Sequence, residues 1–169
     1  YAPLKEINRL KELLSYNILD TPYEKDFDGL VELISIICDS PVAIISMIDA
    51  ERQWYKAKVG IKENEVARQE TFCQFTLLQD DIMEIPDARL DDRVKNNPHV
   101  IAENGIRFYA GVPLKTALGY NIGTVCVVDT KPKHLNSSQK KALQLLTDQA
   151  MMLLDARKKN HSLGNEVDS

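Results

Sequence analysis

Val42-Ala43-Ile44-Ile45-Ser46-Met47-Ile48, then Asp49-Ala50-Glu51-Arg52, then Gln53-Trp54-Tyr55-Lys56-Ala57-Lys58-Val59, is the stretch on which the fold turns. The first run is almost wholly apolar and rich in β-branched residues, whose stiff side chains suit a pleated surface. A run that short and that apolar predicts a strand covered on both faces. The polar residues after it supply a turn. Beyond them Tyr55, Ala57 and Val59 alternate with Lys56 and Lys58, the period of a strand with one wet face. Strands joined by so brief a connection can pair only as an antiparallel hairpin, because parallel neighbours need a long crossover.

Toward the C-terminus the same signals recur. Ile82-Met83-Glu84-Ile85 predicts a short strand ended by Pro86, and residues 106–116 a longer one. Gly111 and Pro113 in that longer strand predict a bulge or an edge. Leu118-Gly119-Tyr120-Asn121 turns the chain into a last strand over 122–129, which carries Val125, Cys126, Val127 and Val128. Between the hairpins, residues 60–70 read as irregular, 71–78 as helical, and 87–103 as loop with a short helix over 98–104.

Helices flank the strands. Leu4, Ile7, Leu10, Leu13 and Leu14 make the apolar stripe of an amphipathic helix over 4–16. Thr21-Pro22-Tyr23-Glu24 is a capping-box start for a second helix, which would bury Phe27, Leu30, Val31, Ile34, Ile37 and Cys38. Asn136-Ser137-Ser138-Gln139 starts the last helix, expected over 138–159 with Ala142, Leu145, Leu146, Gln149, Met152, Leu153 and Ala156 inward. Hairpins with helices at both ends predict an α+β class with an antiparallel sheet. The expected organisation is an N-terminal helix and connector over 1–20, a domain over 21–159, and a disordered polar tail over 160–169.

Composition agrees with one globular domain: 169 residues, 44% hydrophobic and 27% charged. A net charge of −4, from 21 basic and 25 acidic residues, gives no reason to expect nucleic acid or an anionic membrane as partner. No apolar run is long enough to span a bilayer. The cysteines, at 38, 73 and 126, show no C-x-x-C spacing, which argues against zinc or a thioredoxin motif and for a reducing, cytoplasmic setting. The chain opens on Tyr1 and is expected to be a piece of a longer protein. His99, His134 and His161 lie in no nucleophile–base motif, the Asp80-Asp81 and Asp91-Asp92 pairs lack metal-loop spacing, and no phosphate-binding glycine loop is present. No catalytic residue is expected.

Six segments in order resemble the GAF domain, the small-molecule sensor module of bacterial signalling proteins. They are Ile18-Leu19-Asp20-Thr21-Pro22 with Phe27-Asp28, Asp49 through Ala57, Phe72-Cys73, Ile85-Pro86-Asp87-Ala88, Phe108 through Leu114, and Gly123 through Asp129. The resemblance covers residues 4 to about 158. It implies a six-stranded antiparallel sheet with the terminal helices on one face and a ligand pocket on the other. It also implies a cytoplasmic sensor that does no chemistry itself and signals to an effector in the same chain, a histidine kinase or a diguanylate cyclase. Trp54, Phe72, Phe75 and Tyr109 are the aromatic pocket candidates, Arg93 and Arg107 the candidate grips for an anionic ligand, and Cys73 the cysteine at the pocket helix.

Members that hold a bilin covalently have a Cys followed by His. Here Cys38, Cys73 and Cys126 precede Asp, Gln and Val, which argues against a covalent bilin and leaves the ligand unidentified. The Asn-Lys and Asp-Glu marks of the cyclic-nucleotide-binding members are absent. The free methionine sulfoxide reductases group their redox cysteines closely, whereas the gaps here are 35 and 53 residues. Such an enzyme, or a ligand-free dimerisation module, is the alternative expectation. In any of these readings the apolar stripes of the first and last helices lead to a homodimer.

Overall fold

Ala43, Ile45 and Met47 pack in one core while Ile44 and Ile48 pack in another, so the apolar run at 42–48 is a strand buried on both faces. The computed structural model describes residues 3–168. Its six strands are β1 (Val42–Ile48), β2 (Arg52–Val59), β3 (Glu65–Ala67), β4 (Met83–Ile85), β5 (Phe108–Lys115) and β6 (Asn121–Asp129). They form one sheet in the order β3-β2-β1-β6-β5-β4, and every neighbouring pair is antiparallel. Helices α1 (Pro3–Ser15), α2 (Lys25–Ile37) and α5 (Ser137–Asp168) enclose the first core, and the one-turn helices α3 (Cys73–Thr76) and α4 (Pro98–Ile101) lie over the second.

Strand β3 falls inside the stretch expected to be irregular. It is a three-residue edge held by β2, too short and too polar to show periodicity. Pro113 lies beyond the last residue that β4 pairs, so β5 is an edge there and a missing N–H costs nothing. The helix start expected at residue 136 takes the form of a full capping box: Asn136 N donates to Gln139 Oε1 at 2.9 Å and Gln139 N to Asn136 Oδ1 at 2.8 Å.

The other helix start is displaced. Helix α2 begins at Lys25 rather than after Thr21. Thr21 Oγ1 instead donates to Ile18 O at 2.6 Å and receives Lys56 Nζ at 2.9 Å. Lys56 is itself a correction to the half-exposed reading of β2, because it is 0% exposed. It can be buried because Glu24 pairs with it and Pro22 O accepts from it at 2.7 Å.

The two terminal helices turn different faces to the core than their stripes predict. Helix α1 buries Arg9, Glu12 and Leu13 and leaves Leu4, Ile7 and Leu14 exposed. Arg9 donates to Ile48 O at 2.8 Å and to Glu6 Oε1 at 2.9 Å, and Thr116 donates to Glu12 at 3.2 Å. Those polar contacts, together with Leu13, alone fully buried among the helix's leucines, seat the helix. In α5 the inward residues are Leu143, Thr147, Ala150 and Leu154, whereas Leu145 and Met152 are exposed. This helix is apolar on two sides, so its stripe could not say which side is covered. It also continues through 160–168, where a disordered tail is expected; Ser169 lies outside the described residues.

Candidate functional site

Alternation along β1, β2, β5 and β6 sends Ile44, Tyr55, Tyr109 and Cys126 to the face away from the long helices. Only short helices and connecting segments cover that face, and they leave a cavity of about 410 Å³. Its walls are largely apolar, with Ile44, Tyr55, Phe72, Tyr109 and Val128 among the lining residues, and Cys73 and Cys126 also line it. The charged or ionisable groups at its edge are Glu63, Glu70 and His99, and no Lys or Arg lines it. The volume suits a small metabolite.

A buried polar cluster forms one wall. Cys73 Sγ receives Gln53 Nε2 at 3.1 Å and Thr124 Oγ1 at 3.0 Å, and lies 3.1 Å from the Tyr109 hydroxyl. Cys126, two positions from Thr124 along β6, lines the same cavity. Behind these, Gln53 Nε2 also donates to Ser46 Oγ at 2.8 Å, Ser46 Oγ lies 3.1 Å from Thr124 Oγ1, and Thr76 Oγ1 lies 2.7 Å from Tyr109 OH. The Thr71 hydroxyl donates to Gln53 Oε1. Tyr109 reaches Cys73 because Gly111 leaves room: a Cβ there would sit 2.2 Å from the tyrosine hydroxyl.

Burial alone would raise the Cys73 pKa. The hydrogen bonds from Cys126, Thr124 and Tyr109 outweigh it and bring the thiol down to about 6. The bond to Cys73, with burial, pushes Cys126 well up, and burial followed by the charge of Cys73 does the same for Tyr109. Cys38, buried in the first core, is pushed up to about 11 by desolvation.

Of the residues expected at the site, Phe72, Cys73 and Tyr109 line the cavity, and the Phe72 and Tyr109 rings sit 5.4 Å apart. Trp54 does not; it lies in the helix-side core. Phe75 packs beside the second core without lining the cavity. Arg93 is spent on Asp91, at 2.8 and 3.0 Å, and on Met83 Sδ at 3.3 Å. Arg107 donates to Val100 O at 2.7 Å and Ile106 O at 3.1 Å, tying down the end of α4. Neither arginine faces the cavity. Gln53 and Tyr55 were missed. The period-two pattern of β2 carried the signal for both, since they flank Trp54 and must face away from it.

Among the described residues no group of three or more His, Cys, Asp or Glu is placed to hold a metal ion, and no helix is long and apolar enough to cross a membrane. A sequence profile of the GAF domain matches residues 22–154. A cyclic di-GMP phosphodiesterase of Pseudomonas aeruginosa is 35% identical over 131 residues, which is 78% of this chain and 22% of that protein. The chain thus spans less than a quarter of this relative. The GAF domain of an Acinetobacter phosphoenolpyruvate-protein phosphotransferase superposes with a TM-score of 0.65 at 16% identity, covering 92% of this chain and 95% of that one. A type II free methionine-R-sulfoxide reductase of Thermoplasma acidophilum gives 0.61 at 15% identity, covering 89% and 94%. At such identities the likeness to these two structures concerns the fold.

Proposed function

The chain belongs to the GAF domain family, and on that premise we propose that it is the small-molecule-sensing module of a larger signal-transduction protein. The observation that carries this reading is the cavity, formed on the sheet face opposite the helices that would lead to an effector. Strands β1 and β6 run between the two: Cys126 and Val128 line the cavity while Val125 and Val127 contact the helix-side core. A ligand that binds one arrangement of those strands better than another shifts the helix packing by its differential affinity. Of the two effector classes expected, the similarity to a cyclic di-GMP phosphodiesterase favours cyclic di-GMP metabolism over a kinase.

The lining also bears on the ligand. With Arg93 and Arg107 engaged elsewhere and only Glu63, Glu70 and His99 ionisable at the edge, an uncharged or cationic, mainly apolar molecule fits better than an anion. A thermal-shift screen of metabolites sorted by charge tests this. A neutral or cationic binder present at about 100 times its Kd adds roughly 2.7 kcal/mol, and its shift is expected to weaken in Tyr55→Phe. If anions alone stabilise the protein the ligand class is wrong, and if nothing does the dimerisation module is the better reading. Turnover of free methionine sulfoxide with a reductant would instead establish the enzyme alternative.

The partner we propose is a second copy. Leu4, Ile7 and Leu14 on α1 and Leu145 and Met152 on α5 are exposed, and α5 runs on about four turns past Leu154, the last buried among its described side chains. A two-fold pairing of such helices covers the apolar faces and supplies an element that can rotate or slide. Sedimentation equilibrium at tens of micromolar is expected to show a dimer, which Leu145→Glu with Met152→Glu dissociates without loss of the fold. Leu146 and Leu153 are poorer probes, because both pack against the core. A monomer throughout that range removes the pairing and the rotation with it.

A further inference from the structure

The protons of the buried cluster can be followed one by one. Thr71 has one and gives it to Gln53 Oε1. Gln53 Nε2 has two, for Ser46 Oγ and Cys73 Sγ. Ser46 Oγ in turn lies 3.1 Å from Thr124 Oγ1 and donates to Thr124 O at 3.4 Å, and the Thr124 hydroxyl donates to Cys73 Sγ. The Tyr109 hydroxyl sits between Thr76 Oγ1 and Cys73 Sγ, at 2.7 and 3.1 Å, so that with Thr76 as donor its own proton is directed at the sulfur. Gln53 and Thr124 thus donate to one sulfur that the Tyr109 hydroxyl also touches, a shell that favours its thiolate. A buried cysteine that serves as a small hydrophobe gathers no such shell.

The sequence separates Cys73 and Cys126 by 53 residues, yet the fold bonds Cys73 Sγ to Thr124, two positions from Cys126 along β6, and both cysteines line one cavity. We infer that Cys73 and Cys126 form an oxidant-responsive dithiol that a hydroperoxide entering the cavity closes to a disulfide. The Cys73 thiolate attacks one peroxide oxygen. An S–O bond forms, the O–O bond breaks, and hydroxide (or alkoxide, from an organic peroxide) leaves and takes a proton from water. Cys126 then attacks the Cys73 sulfenic sulfur. An S–S bond forms, the S–O bond breaks, and the departing oxygen takes the Cys126 proton and leaves as water. Two thiol groups are oxidised and one peroxide is reduced by two electrons. A neutral peroxide passes the carboxylates of Glu63 and Glu70 at the edge without charge repulsion. Closure removes the charged acceptor on which Gln53, Thr124 and Tyr109 converge, so the strands that carry them must repack. This holds whether or not the cavity takes a metabolite.

The test uses the reduced protein, freed of reductant, treated with hydrogen peroxide at low stoichiometry, denatured in acid and alkylated. Expected is the loss of two of the three alkylatable thiols, with mass spectrometry joining the Cys73 and Cys126 peptides. Cys38→Ser should behave as the parent, because Cys38 lies in the other core. Cys126→Ser should instead hold a dimedone-reactive sulfenic acid at Cys73. Thr124→Val, which removes one donor, should slow the reaction several-fold at neutral pH. Retention of all three thiols in the parent overturns the inference. So does a disulfide that includes Cys38, or oxidation of Cys73 to sulfinic acid without loss of the Cys126 thiol. The thiol count and the peptide linkage are read on the parent protein, so they decide the matter even where a variant fails to fold.

Discussion

Val127→Asp abolishes the folded state at physiological temperature, or lowers the melting temperature by more than 10 °C or so, the shift expected of about 4–5 kcal/mol in a domain of this size. Val127 is 0% exposed, opposite Ala43 on β1 and Ala110 on β5, with Phe108, Val125 and Leu143 in the same core. Among these apolar side chains a carboxylate either stays ionised in an apolar setting or takes up a proton and leaves a polar group unsatisfied. Both outcomes add to the lost burial of the valine, about 1.5 kcal/mol or more. Domains have only ~5–15 kcal/mol in total. Val127→Ala removes volume without adding charge and should cost markedly less. A Val127→Asp protein that melts within a degree or two of the parent would place residue 127 outside the central strand.

That strand was legible because burial on both faces leaves an unbroken apolar run, Val125 through Val128, where one wet face would impose alternation. The hairpins, the antiparallel sheet and the start of α5 at Asn136 were legible for similar local reasons. What stayed hidden depends on pairing across long separations. Helix α1 displays a leucine stripe, yet Arg9 finds backbone carbonyls of Ile48 and Asn121 and Glu12 finds Thr116, so its polar side faces the protein. No periodicity within 4–16 could show this. Arg93 and Arg107 are the exception: their partners, Asp91 and the carbonyls of Val100 and Ile106, lie close in sequence, but no motif in that stretch announces the pairing. At the cavity, Cys73 stood out in the sequence, but the Cys126 thiol beside it is a product of the fold alone. Residues 53 and 55 could have been assigned to the cavity from alternation once Trp54 was placed in the opposite core.

Lys56 is the residue the alternation misplaced, and it carries the second large effect. Its ammonium is fully buried, paired with Glu24, and hydrogen-bonded to Thr21 Oγ1 and Pro22 O. Glu24 also receives Arg157 Nε of α5 at 2.8 Å, so one carboxylate ties the loop before α2 to β2 and to the terminal helix. Glu24→Ala leaves a buried cation with two neutral acceptors. Removing one partner of such a pair costs about 3–5 kcal/mol, and the low end applies because Glu24 itself is 38% exposed. Lys56→Met removes the buried charge and leaves Glu24 with Arg157, so it should cost less than Glu24→Ala. The pH profile separates the roles. Burial raises the Glu24 pKa, but the bonds from Lys56 and Arg157 outweigh it and hold the carboxyl below its ordinary value. Its contribution is therefore complete above the unfolded value, about 4.3, and is lost as the pH falls through the lower folded one. Burial holds Lys56 below its ordinary value. In Glu24→Ala that depression deepens, and the unfolded chain binds the proton more tightly than the folded one. The deficit of the variant should then shrink as the pH rises toward about 10. Chemical denaturation of the parent and both variants at acid, neutral and alkaline pH reads all three statements. A Lys56→Met variant less stable than Glu24→Ala at neutral pH would show that the lysine stem, and not the compensation of its charge, is what the site requires.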